Sequence, residues 1–287
     1  AMTHSDSSPA DFGATVAIVG VGLIGGSIAA ALEDRGCAGR IVGVGRNPKR
    51  LAAARDAGLI DAFAEEIAAV SADFWVFCTP VDRIVSGILA VKAQPGQTVL
   101  VTDAGSVKAE ICESVKGRLS EGVEFIGSHP LAGSEQRGFE YADANLYRDR
   151  MCVLTPEPGS SPKQLARLRS FWTFVGMRVV EMGAAEHDRA LAETSHLPHL
   201  VASALAATLN KDNAHLAATG FADTTRIAAG DPDLWTAIFL QNADAMQLAL
   251  NRFTDQIDQL RDAIANQDGR ALRKLLEFAK TQRDNLN

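Results

Sequence analysis

Residues Thr15–Leu32 read TVAIVGVGLIGGSIAAAL, and this stretch decides the fold. Val16–Val19 is a short, apolar, β-branched run. It meets Gly20-Val21-Gly22-Leu23-Ile24-Gly25 and then small and aliphatic residues at helical spacing. Strand, glycine turn and helix in that order form the dinucleotide-binding fingerprint. Gly20 permits the tight turn, Gly22 lets the main chain approach a pyrophosphate, and Gly25 lets the helix sit close to the strand. The helix N-terminus offers its free N–H groups and positive dipole end to the phosphates. Gly20, Gly22, Leu23, Ile24 and Gly25 are therefore expected to hold a dinucleotide, the alternative being a purely structural glycine turn. The pattern gives the cofactor class and leaves the reaction open.

Working outward, strand-like runs recur at Ile41–Val44, Phe74–Cys78, Val99–Thr102, Phe125–Ile126, Cys152–Leu154 and Val179–Val180. Helix-period segments lie between them, at Lys49–Ala57, Val81–Val91, Ala109–Leu119 and Pro162–Val175. Such alternation predicts a doubly wound, mostly parallel α/β sheet of Rossmann type. After Gly183 no strand-like run survives, and Ala184–Asn210, Leu234–Ala263 and Gly269–Asn285 read as long helices. The expected organisation is a nucleotide-binding domain over residues 15–183 and an all-α domain over 184–287. Residues 1–14, AMTHSDSSPADFGA, lack the apolar core of a signal peptide and read as a disordered leader. The apolar stripes of the helical domain need a cover, most commonly a second copy of the chain, so a homodimer is expected.

A chain of 287 residues accommodates about two domains. Its net charge of -7 gives no global field for nucleic acid or an anionic membrane, so an anionic ligand must be held by local cations. No apolar run reaches the length of a membrane span. The four cysteines (Cys37, Cys78, Cys112 and Cys152) show no C-x-x-C spacing and read as buried thiols of a cytoplasmic protein.

An NAD site usually carries an acid about 20 residues past the glycines, at the end of the second strand, to hold the ribose 2′-hydroxyl. Here that end reads Gly43-Val44-Gly45-Arg46-Asn47, with no acidic residue from Arg35 to Arg55. Gly45 takes the acidic slot and Arg46 follows it. A guanidinium there suits a 2′-phosphate, so NADP, or use of both cofactors, is preferred over strict NAD. The alternative is that Arg46 stacks on adenine or faces solvent. Thr79, Pro80 and Asp103, at the ends of two further strands, complete the expected cofactor-binding set.

Three downstream segments carry chemistry-bearing residues. In Thr102–Lys108, Ser106 follows a strand end, where ligands of open α/β sheets sit; it reads as an N-cap, a ligand contact or both. In Gly127–Glu135, His129 belongs to no apolar stripe. It reads as a general base or hydrogen-bond acceptor, or as a loop-packing histidine. In Ser195-His196-Leu197-Pro198-His199, Ser195 and His199 share a helix face and Pro198 introduces a kink. His196 and His199 lack the spacing and companions of a metal site, and no metal is expected. Arg226 offers a planar fork for a carboxylate, or pairs at helical spacing with Asp223.

The glycine motif, DAGSVK (103–108), GSHPLAGSE (127–135), EHDRALAETSHLPH (186–199) and DTTRIAAGDPDLW (223–235), in that order, resemble the prephenate/arogenate dehydrogenase family of tyrosine biosynthesis. The resemblance runs from residue 15 to about 265. It implies a Rossmann domain followed by a dimerising helical domain, and oxidative decarboxylation of prephenate or arogenate with hydride transfer to NAD(P). It implies His129 as the catalytic acceptor of the ring-hydroxyl hydrogen bond and Ser106 as the serine holding that hydroxyl and the nicotinamide. Arg226 would bind the side-chain carboxylate, with Ser195, His199 and Ser134 lining the pocket. Glu135 would be a gating acid, with Asp223 in the region of its ionic partner, and Trp235 a pocket or interface aromatic. Many NAD-using members carry Asp where this chain has Gly45. Two rivals remain at this level: a β-hydroxyacid or imine-type dehydrogenase, whose helical-domain lysine is matched only by Lys211, and a non-catalytic NADP sensor.

Overall fold

The computed structural model describes residues 12–37, 39–134 and 136–286. Strands β1 (Thr15–Val19), β2 (Arg40–Val44), β3 (Ala62–Ala64), β4 (Phe74–Phe77), β5 (Val99–Asp103) and β6 (Val123–Phe125) form one sheet. Its order is β3-β2-β1-β4-β5-β6 and every pairing is parallel. Helices α1 (Leu23–Asp34), α2 (Pro48–Asp56), α3 (Val81–Ala90) and α4 (Ala109–Val115) lie between the strands in sequence. The central strands β4 and β5 are buried throughout, which their continuous apolar runs anticipate. The order reverses between β1 and β4, and at such a switch point the carboxyl ends of the strands leave a crevice for a ligand.

One sheet does not take all the strand-like runs. After β6 the chain enters a second sheet of β7 (Gly127–Pro130), β8 (Met151–Thr155) and β9 (Arg178–Glu181), with β7–β8 antiparallel and β8–β9 parallel. Gly127–Pro130, outside the strand-like runs expected from sequence, is a buried strand. Glycine, serine, histidine and proline carry no strand signal, and pairing with β8 supplies the ladder. The sheets are joined at Ser128, whose hydroxyl donates to Asp103 O at 2.5 Å and accepts from Trp172 Nε1 at 3.0 Å. Trp172 lies on α5 (Pro162–Phe174), which supplies much of the aromatic core.

The expected leader is too long. Phe12 is buried, with its ring edge-on to Phe74, Phe171 and Phe174, and Arg167 donates to its carbonyl. Burial of one phenylalanine anchors residues 12–14 to the domain. Residues 1–11 lie outside the described residues.

Beyond β9 the chain is helical: α6 (Ala184–Leu191), α7 (Leu197–Ala207), α8 (Thr219–Thr225), α9 (Pro232–Gln241), α10 (Ala243–Ala265) and α11 (Gly269–Asp284). The single helix expected over Ala184–Asn210 is interrupted by a π-turn at Ala192–His196, closed by Leu197 N donating to Ala192 O. Pro198 has no N–H to give, and the widened turn absorbs that loss. The helix expected over Leu234–Ala263 likewise breaks, at Asn242. No residue of α11 is buried, and Leu240, Leu248, Ile264, Leu276 and Phe278 are more than half exposed.

Candidate active site

The glycine turn has the geometry its sequence demands. Gly20 has φ +93°, and a Cβ there would lie 2.8 Å from Cys78 O. A Cβ on Gly25 would lie 2.2 Å from Gly20 O. Both positions exclude side chains, whereas a Cβ on Gly22 would meet nothing within 4 Å. That open space lies at the N-cap of α1, where the first-turn N–H groups of Leu23, Ile24 and Gly25 have no helical acceptor. Across the turn, Thr79 has a buried hydroxyl without a hydrogen-bond partner among the described residues, and Pro80 caps α3. These residues fit a pyrophosphate and its ribose.

At the far end of the cradle, Arg46 is exposed and makes no ion pair among the described residues. A Cβ on Gly45 would rest 3.8 Å from the Leu51 methyl groups, so no steric constraint excludes an acid there. The neighbouring Arg50 is held by Glu140 at 2.8 Å.

Asp103 does not belong to the cofactor set. It is fully buried, ion-paired with the equally buried Lys108, and accepts from Gly105 N at 2.9 Å and Ser128 N at 3.2 Å. With both oxygens engaged it braces the junction of β5 and β7 rather than a ligand. Ser106 does not cap α4 either. That role falls to Asp188, far along the chain on α6, which accepts from Lys108 N and Ala109 N, each at 2.8 Å. The half-buried Ser106 hydroxyl has no hydrogen-bond partner among the described residues.

His129 sits in β7, opposite Val153. Its Nδ1 lies 2.8 Å from His187 Nε2, and His187 Nδ1 lies 2.7 Å from Asp188 Oδ1. Burial, reinforced by His187, Lys108 and His196, holds the His129 pKa well below the usual imidazole value. For Asp188, burial works upward. The bond from His187 and the two backbone N–H groups outweigh it and leave the carboxyl below its usual range.

Asn242, at the break between α9 and α10, donates through Nδ2 to Asp188 O at 2.8 Å and contacts His196 Nδ1 at 3.1 Å. The carbonyl accepts only, so Nδ2 is the donor to both, and a neutral His196 carries its proton on Nε2. That Nε2 is buried and has no partner among the described residues. Burial lowers the His196 pKa to about 4, against an opposing pull from Asp188.

His199 is stacked on Trp235, with Phe239 beside both. Burial lowers the His199 pKa. Ser195, in the π-turn, is half-buried. Arg226 and Asp223 are exposed and form no ion pair with each other, and the guanidinium fork of Arg226 has no ion-pair partner among the described residues. The two domains meet where Arg137 pairs with Asp231, the N-cap of α9. Ser134 is exposed on the loop leading to Arg137, and Glu135 lies outside the described residues.

Sequence reasoning missed His187, Asp188, Lys108 and Asn242. The adjacent histidine and aspartate of EHDRALAE were the available signal for the first two. Nothing local marks Asn242 or the burial of Lys108.

Two family models match the chain: "Prephenate dehydrogenase, nucleotide-binding domain" over residues 28–181 and "Prephenate dehydrogenase, dimerization domain" over 183–278. A cyclohexadienyl dehydrogenase of Zymomonas mobilis is 34% identical over 94% of this chain and 94% of its own length. A prephenate dehydrogenase of Bacillus subtilis is 32% identical over 95% of this chain and 76% of its own. Among solved structures, prephenate dehydrogenase from A. aeolicus, in complex with hydroxyphenyl propionate and NAD+, superposes with a TM-score of 0.88 at 33% identity, covering 99% of this chain and 100% of that one. Synechocystis arogenate dehydrogenase gives 0.79 at 33% identity, covering 95% and 100%. With both halves matched and similarity along nearly its whole length, the chain belongs to the prephenate dehydrogenase family of nicotinamide-dependent oxidoreductases.

Proposed function

We propose that this nicotinamide-dependent dehydrogenase oxidatively decarboxylates prephenate, arogenate or both, with His129 accepting the hydrogen bond of the ring hydroxyl. The observation that carries the reading is the state of His129: buried, held neutral, and with Nδ1 engaged by His187, which leaves Nε2 as the ring nitrogen without a hydrogen-bond partner among the described residues. A histidine that is neutral near pH 7 presents a ring-nitrogen lone pair as acceptor for the hydroxyl hydrogen. As the hydroxyl proton moves to His129, the ring carbon gains carbonyl character. The nicotinamide, when bound, accepts the hydride from that carbon. Loss of the ring carboxylate as carbon dioxide makes the ring aromatic, which supplies the driving force.

Ser106, whose hydroxyl has no hydrogen-bond partner among the described residues, is assigned to the ring oxygen and the nicotinamide side. Arg226 is assigned to the side-chain carboxylate through its guanidinium fork. His199 and Ser195 are assigned to the pocket wall, Ser134 and Glu135 to the entrance, and Asp223 to the ion pairing that gates it. Gly20, Gly22, Leu23, Ile24, Gly25, Thr79 and Pro80 hold the cofactor. The absent acid at Gly45 and the free Arg46 favour NADP, with NAD as the other candidate. The unburied apolar residues of α11 support a homodimer through the helical domain. Free thiols at Cys78, Cys112 and Cys152 support a reducing, cytoplasmic setting. The test is turnover at 340 nm with prephenate and arogenate, each with NAD and NADP. Binding of the cofactor without turnover of either substrate would refute the reading.

A further inference from the structure

We propose that His187 and Asp188 are positioning residues for His129, fixing which of its ring nitrogens is bare and receiving the positive charge it acquires. This rests on the reading of His129 as the acceptor of the ring-hydroxyl proton and adds residues that reading does not require.

The polarity of the chain is set at Asp188. Its Oδ1 accepts from Lys108 N and its Oδ2 from Ala109 N, so the carboxylate acts only as an acceptor. His187 Nδ1, 2.7 Å from Oδ1, therefore carries a hydrogen. In the neutral form of His187 that single N–H leaves Nε2 as a lone pair. His129 Nδ1, 2.8 Å away, must donate to it. His129 is left with its hydrogen on Nδ1 and a bare Nε2, the tautomer that can take a proton from a substrate. Among the described residues nothing other than His187 bonds Nδ1 to select it.

The same chain handles the charge. When the substrate O–H bond breaks, its proton bonds to His129 Nε2 and the oxygen pair becomes the second bond of a carbonyl. The hydride leaves that carbon with its electron pair for the nicotinamide. The Nδ1–H proton of His129 passes to His187 Nε2, leaving its electron pair on Nδ1. The positive charge then lies on His187, in contact with the Asp188 carboxylate. Its remaining on His129 is opposed first by burial and then by the ammonium of Lys108, which lies buried against Asp103 at the start of α4. The other titratable neighbour, Cys152 on β8, is kept protonated by burial.

Asp188→Asn tests the polarity. Oδ1 serves both His187 Nδ1 and Lys108 N, so an amino group at that position would donate to His187 Nδ1 and leave the amide oxygen on Ala109 N alone. That reverses both histidines and places a hydrogen on His129 Nε2. A fall in kcat on the order of 10²–10⁴ is expected, with little change in KM or in cofactor binding. His187→Phe, which removes the link, should lower kcat in the same way. Nitrogen-15 NMR of the His129 ring gives the second readout. The wild type should show a bare Nε2, and either variant should move hydrogen onto it. Retention of wild-type kcat and tautomer in both variants, while His129→Asn is inactive, would overturn the proposal and leave the function intact. Full activity of His129→Asn would instead overturn the functional reading. A wild-type His129 protonated on Nε2 would sink the proposal without any variant, including the case in which Asp188→Asn does not fold.

Discussion

Trp235 stacks face to face on His199, with ring centroids 3.6 Å apart and planes inclined by 14°. The pair leaves no room behind it: a Cβ on Gly230 would lie 2.6 Å from Trp235 Nε1 and 2.9 Å from His199 Cε1. Gly230→Ala must therefore displace one ring or the other. With His199 assigned to the pocket wall, kcat/KM is expected to fall about tenfold, in keeping with the 1–3 kcal/mol of overpacking. The expected signature is a changed tryptophan emission accompanying the loss. An unchanged kcat/KM would take the stack out of the site.

Cofactor choice is tested at Gly45. The 3.8 Å clearance to Leu51 admits a side chain, so Gly45→Asp should fold as the wild type does. Its carboxylate would repel a 2′-phosphate and accept from a ribose 2′-hydroxyl, shifting the NADP:NAD ratio of kcat/KM toward NAD. Arg46→Ala should weaken NADP by about tenfold, one charge-assisted contact, and leave NAD nearly unaffected. Equal effects on the two cofactors would count against a 2′-phosphate site.

Arg226→Ala should act on KM rather than kcat. A guanidinium–carboxylate bond contributes roughly 1.5–3 kcal/mol, so KM is expected to rise between tenfold and about a hundredfold. A substrate analogue lacking the side-chain carboxylate should bind wild type and variant alike. Steady-state kinetics with unchanged KM would remove Arg226 from the pocket.

Lys108 and Asp103 are both fully buried, and removing one leaves the other uncompensated. Lys108→Met should destabilise by about 3–5 kcal/mol, and adding Asp103→Asn should recover part of that. Urea denaturation midpoints measure both. A Lys108→Met midpoint equal to that of the wild type would contradict the pairing.

The buried histidines predict acid sensitivity with a definite sign. Burial lowers the folded His196 pKa to about 4 and moves His129 well below 6.5, while the unfolded chain takes up these protons near 6.5. The unfolded state thus binds more protons between those values, so stability is full above pH 6.5 and is lost as pH falls toward 4. The expected slope is about 1.4 kcal/mol per pH unit for each histidine. Melting temperatures should drop over that interval, and His196→Gln should flatten the drop.

The sequence by itself determined the strand–turn–helix at residues 15–32, the alternation that makes a parallel sheet, the change to helices after Gly183, and the candidate roles of His129, Ser106 and Arg226. These are local: each follows from a period, a backbone requirement or a residue type within one short segment. The tertiary structure decided the rest. It made a strand of Gly127–Pro130 through pairing with β8, drew Phe12 into the core, and opened a π-turn ahead of Pro198. It also turned Asp103 inward onto Lys108 and carried Asp188 across to cap α4, so that His187 meets His129. No periodicity records such contacts, because a hydrogen bond between residues 58 positions apart depends on where two domains pack and on nothing within either segment.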